Sequence, residues 1–96
     1  MIRHICAFKL KEENREANIA EFLKRAESLR EIPEIRAFEA VKNAEGLPES
    51  NYEVSLIFDF DSKEDLFSYQ ANPIHIEFGK FVGTIRESRA CIDYEF

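Results

Sequence analysis

Tryptophan is absent from the 96 residues, and glycine, proline and cysteine are sparse at three, three and two. Each shortage excludes something. The glycines are isolated, so there is no Gly-rich loop to cradle a phosphate. The two cysteines and two histidines are scattered and show none of the close pair spacings of a zinc site, so no metal is expected. In a chain read as cytoplasmic, Cys6 and Cys91 are expected as buried reduced thiols rather than a disulfide, and the sequence leaves open whether they approach each other. Positive charge is also short: 13 Lys and Arg against 19 Asp and Glu leave a net charge of −6. Such a chain has no electrostatic footprint for a phosphate backbone or an anionic lipid surface, so neither nucleic acid nor membrane is an expected partner. No apolar run approaches the ~20 residues of a membrane span. The start, Met1-Ile2-Arg3-His4-Ile5, passes straight into a strand pattern without the basic and apolar regions of a signal peptide, and the cytoplasm is the expected compartment.

What the chain does have is apolar patterning. With 45% hydrophobic residues, nine of them Phe, it is too apolar for a disordered chain. At this length it is one domain, residues 1–96, and such a domain commonly completes its core with a partner. Residues 2–10 alternate, with Ile2, His4, Cys6, Phe8 and Leu10 on one face and Arg3, Ile5, Ala7 and Lys9 on the other, which predicts a strand. Residues 13–30 change period. Ile19, Phe22, Leu23, Ala26 and Leu29 make one helical stripe, ended by Ile32-Pro33. Residues 35–43 read as a second strand, with Ile35, Ala37 and Val41 opposite Phe38 and Ala40. Residues 43–50, broken by Gly46 and Pro48, read as a loop. Residues 51–60 place Tyr52, Val54, Leu56, Phe58 and Phe60 on one face of a third strand.

Asp61 or Ser62 can cap a second helix. Asn72-Pro73 interrupts it and starts a new short one, since proline has no N–H to lose at the first helical position. Gly83 is the expected stop, and residues 86–96 form the last strand. The order βαββαβ predicts an α+β, ferredoxin-like fold: a four-stranded antiparallel sheet with its helices on one face. The open face, with Ile5, Ala7, Ile35 and Ala37 as candidates, needs a cover, and a second copy related by a twofold axis supplies one.

Five segments, in this order, carry a family resemblance over essentially the whole chain: Ile2 to Lys11; Ile32 to Ile35; Asp59 to Leu66; Tyr69 to His75; and Glu87 to Tyr94. Together they resemble the stress-responsive dimeric A/B barrel (Dabb) family. The resemblance implies a homodimeric α/β barrel in which each subunit keeps a cleft between its helices and its sheet. It extends more distantly to a plant polyketide cyclase of the olivetolic acid type, which closes a ring by an aldol step with a Tyr and a His. Tyr69 and His75 stand at that pair's spacing. Val54 and Asn72 replace histidines of that pattern, and Ala26 replaces an aromatic, so the cleft is expected to differ in shape. The lack of Trp argues, by analogy, against the monooxygenase and haem-degrading relatives of this architecture.

The site residues follow. His75 is the candidate base, since imidazole titrates near neutrality, and Tyr69 the candidate donor to an enolate oxygen. The structural alternative has Tyr69 packing its helix and His75 capping the turn after Asn72-Pro73. His4, on the apolar face of the first strand, is a candidate third catalytic group or a core histidine bonded to a backbone carbonyl. Cys6, Phe8, Phe22, Phe38 and Leu56 are candidate lining. Composition makes Ser88, Ala90, Ile92, Tyr94 and Phe96 the buried face of the last strand, whereas the resemblance turns Arg89 and Cys91 to the cleft; the resemblance is preferred. Arg89 there would meet an anionic ligand group, or else Glu87 or Asp93. The expected ligand is a small apolar or anionic carbonyl compound. Any enzyme activity is expected to be a cofactor-independent aldol-type cyclase, isomerase or lyase. A non-catalytic dimeric interaction module is the alternative, and a domain without a dedicated site the third reading.

Overall fold

The computed structural model describes residues 1–96. In chain order the elements are β1 (Ile2–Leu10), α1 (Arg15–Ala26) with a 3-10 extension (Glu27–Glu31), β2 (Ala37–Lys42), β3 (Val54–Phe60), α2 (Lys63–Ala71), α3 (Pro73–Ile85) and β4 (Arg86–Glu95). The strands form one antiparallel sheet in the order β2-β3-β1-β4, so β1 and β3 are central. The alternation of β1 is the reason: Ile2, His4, Cys6, Phe8 and Leu10 are all buried and the intervening residues are not. On β3 the same period buries Val54, Leu56, Phe58 and Phe60. Tyr52, expected on that face, is exposed. Its neighbour Glu53 turns inward instead, accepting hydrogen bonds from Lys9 Nζ at 2.8 Å and the Leu10 N–H at 2.6 Å.

The helices lie on one face of the sheet. Phe22, Ala26 and Leu29 of the α1 stripe are fully buried against it, with Ile19 and Leu23 at the margin. Ser62 caps α2 by accepting from the Asp65 N–H, and Asn72 caps α3 by accepting from the Ile74 N–H, with Pro73 as the first helical residue. The helix after Asn72-Pro73 is not short: at 13 residues it outlasts α2 at 9. Gly83 does not stop it. Only Gly46 among the glycines has a positive φ, so Gly83 stays in the helix, which runs to Ile85 and passes directly into β4.

The other face of the sheet is bare. Ile92 is 61% exposed and Phe96 55%, and Tyr94, Val41, Ile5 and Ile57 share this face. Burial of this face of β4, which composition suggested, is therefore corrected within the single chain. Ile35 is also reassigned: it lies before β2 and packs against the helix-side core.

Candidate functional site

Between α2, α3 and the helix side of β1 and β4 lies a cleft of about 270 Å³. Strand β1 contributes His4, Cys6 and Phe8 to it, and β3 contributes Leu56. Helix α2 contributes Tyr69 and Gln70. One face of α3 contributes His75, Phe78, Gly79 and Val82, and β4 contributes Arg86 and Arg89. Seven of the sequence-predicted residues thus meet in one cavity: His4, Cys6, Phe8, Leu56, Tyr69, His75 and Arg89.

Phe22 and Phe38 lie outside it. Phe22 sits one layer behind, its ring centroid 5.6 Å from Phe8 and 5.3 Å from Phe78. Phe38 belongs to β2, the edge opposite β4, where it stacks on Phe58 at 4.9 Å beneath the Arg30 guanidinium. Helical spacing correctly turned Phe22 toward the sheet and alternation turned Phe38 toward the helices; neither says how far along the sheet the cavity extends.

His75 is held in one tautomer. Its Nδ1–H donates to the Gln70 carbonyl at 3.0 Å, which ties down the end of α2 and leaves Nε2 with the lone pair. Burial pushes its pKa below the ordinary 6.5; the Gln70 bond opposes this, and the charges of His4 and Arg89 add to the lowering. The ring is therefore neutral at pH 7. Tyr69 is 1% exposed, packed on Phe58 and Phe60, with its ring centroid 4.6 Å from that of His75. Burial raises its pKa well above the usual phenol value, and no protein group accepts from its hydroxyl. It is a standing hydrogen-bond donor.

His4 pairs through Nδ1 with the Asp93 carboxylate, not with a backbone carbonyl, and its ring is buried beside Phe58 and Tyr69. Asp93 is thereby taken by His4, and Arg89 forms no ion pair with it or with Glu87; its Nη2 lies 3.0 Å from Cys91 Sγ and 3.6 Å from Cys6 Sγ. The cysteines are corrected. They are direct partners in the β1–β4 ladder, with Cα atoms 4.2 Å apart, and are joined as a disulfide on the cleft side. No group of three or more His, Cys, Asp or Glu side chains is placed to hold a metal ion.

Gln70, Phe78, Gly79, Val82 and Arg86 were missed. For the α3 residues a signal existed: 75, 78, 79 and 82 follow the i, i+3, i+4, i+7 spacing of one helix face. For Arg86 there was none. Strict alternation puts residues 86 and 89 on opposite faces. In the structure Lys9 pairs with Ser88 but Leu10 with Arg86, so Glu87 is an unpaired extra residue that turns both arginines to the cleft.

The model of the stress-responsive A/B barrel domain matches residues 2–96. Among curated proteins none matches. A dimeric protein of unknown function with a ferredoxin-like fold from Bacteroides fragilis is 33% identical, with a TM-score of 0.86 over 99% of this chain and 95% of its own. A Dabb-family protein from Mesorhizobium loti is 25% identical, with a TM-score of 0.83 over 99% and 95%. The hydroxynitrile lyase of Passiflora edulis is 18% identical, with a TM-score of 0.81 over 97% and 90%, a likeness of fold alone.

Proposed function

The chain belongs to the stress-responsive A/B barrel domain family, and on that premise we propose that it works as a homodimer with one small-molecule cleft per subunit, in which His75 removes a proton next to a substrate carbonyl and Tyr69 donates a hydrogen bond to the enolate oxygen. The reaction class is cofactor-independent carbonyl chemistry: aldol-type cyclisation, isomerisation or the related lyase step. One observation carries this reading. A neutral imidazole with a free Nε2 and a phenol hydroxyl with no protein partner line the same cavity, with ring centroids 4.6 Å apart. His4, oriented by Asp93, is the third polar group, and Phe8, Leu56, Phe78 and Val82 supply the apolar walls that exclude water.

The homodimer is supported by the bare apolar face and by the Bacteroides fragilis relative, which is described as dimeric. The cytoplasm is the proposed compartment. A non-catalytic interaction module has less support, because it calls for a filled cleft.

The test is proton exchange. With 4-oxo-4-phenylbutanoate as the probe in deuterated buffer, NMR follows deuterium entering the carbon beside the ketone. The expected result is protein-dependent exchange that falls by about 100-fold in His75→Ala, the scale of a general base. Exchange no faster than in buffer, or unchanged in His75→Ala, would sink the catalytic reading.

A further inference from the structure

The chain has seven arginines. Arg3, Arg25, Arg30 and Arg36 each pair with a carboxylate, and Arg15 donates to the Leu10 carbonyl. Only Arg86 and Arg89 lack an oxygen acceptor, in a chain where acids outnumber bases, and both line the one cleft. Arg86 is half-buried and makes no side-chain hydrogen bond; the only polar contacts of Arg89 are the two sulfurs. No Asp or Glu lines the cavity. Arg86, half-buried without an acceptor, bears a desolvation cost that a bound anion would offset, and Arg89, exposed on the same wall, adds a second unpaired guanidinium. The bulge at Glu87 matters here, because without it one of the two would face away.

We propose that Arg86 and Arg89 form an anion subsite on the β4 wall of the cleft that binds the carboxylate of the substrate, so that the ligand is a small keto acid with its ketone toward Tyr69 and His75. This rests on the carbonyl reading of the same cleft and adds the class of substrate. A carboxylate fits better than a phosphate. Guanidinium groups pair with carboxylate and phosphate oxygens alike, so the choice rests on charge. Arg86 follows directly on the C-terminus of α3, whose negative dipole end opposes any anion, and a doubly charged phosphate more than a singly charged carboxylate.

The experiment compares affinities, measured by NMR titration, for 4-oxo-4-phenylbutanoate, its neutral amide 4-oxo-4-phenylbutanamide, and phenyl phosphate. Wild-type protein is expected to bind the acid about tenfold more tightly than the amide, as a charge-assisted pair provides. Arg86→Gln and Arg89→Gln are each expected to erase most of that preference while leaving the affinity for the amide unchanged, which also shows that the variants are folded. Equal binding of acid and amide, no binding of either, or a preference that survives both substitutions would overturn the subsite. Tighter binding of phenyl phosphate than of the acid would overturn the carboxylate assignment. The two readings fail separately: a preserved acid preference without proton exchange removes the chemistry and leaves the subsite, whereas exchange with equal acid and amide binding does the reverse.

Discussion

In the proposed chemistry His75 and Tyr69 divide the acid–base work because burial acts oppositely on them. Loss of solvation destabilises the charged form of each, so the imidazole loses its proton more readily and the phenol keeps its own. The exchange rate should therefore rise with pH through an acid limb whose midpoint lies below 6.5, the ordinary histidine value. Arg89→Gln removes a positive charge near the ring and should move that limb upward. A limb above 6.5 in wild type would contradict the assignment. The same sign holds for stability: the folded state disfavours protonated His75, so its contribution is full above the unfolded pKa and is lost as pH falls through the folded one. Tyr69→Phe separates chemistry from packing. The ring stays and no protein hydrogen bond is lost, so stability should stay within about 0.5 kcal/mol. Loss of the donor should slow exchange by about 100-fold. Circular dichroism melts and the NMR assay check the two halves. At this scale Tyr69, His75, His4 and Arg89 were legible as cleft residues through the family resemblance. The placement of Phe22 and Phe38 was not, because periodicity gives the face of an element and not the distance to a cavity. The disulfide was hidden because register between distant strands is not written in either strand alone.

Helix α3 is the element that most shapes the cavity, and Gly79 is its thinnest point. A Cβ built there meets nothing within 4 Å. Gly79→Leu should therefore fill the cleft without displacing the core, and should stabilise the helix by up to about 1 kcal/mol, because glycine is a poor helix former. The expected variant melts no lower than wild type yet fails to bind 4-oxo-4-phenylbutanoate. Retained affinity would show that the ligand lies elsewhere. The elements themselves were largely readable: the period-two and helical stretches, and the Ser62 and Asn72 caps, stand close to where the sequence puts them. The end of α3 was not. Gly83 carries a stop signal only if the chain turns left-handed there, and the continuous run of Ile85 into β4 removes the turn that would require it.

In the whole molecule the sheet is covered on one side, and the order βαββαβ was enough to expect that. Ile92 lies at the β4 side of the bare face, opposite Ile5 in the ladder. Ile92→Lys puts a charge where the proposed second sheet would pack, and burying it unpaired is costly. Sedimentation should show a dimer for wild type and a monomer for the variant. A monomeric wild type would leave the face without its proposed cover. The sequence did not mark the residues that meet another chain apart from those that merely sit on a surface, since both alternate with the core in the same way.

Strand β4 has two readers. Arg89, Cys91 and Asp93 lie on the helix side, where Arg89 lines the cleft and Asp93 holds His4, and Ala90, Ile92 and Tyr94, interleaved with them, face the other way. Their backbones are a single ribbon, so a substitution that shifts the strand for one reader shifts it for the other. In the proposed dimer, drift in the outer contacts would therefore be filtered by the proposed ligand recognition, and a redesign of ligand preference through β4 would inherit the tolerances of assembly. His75, Phe78, Gly79 and Val82, on a helix that lies on the covered side of the sheet, are the freer ground for changing what the cleft accepts.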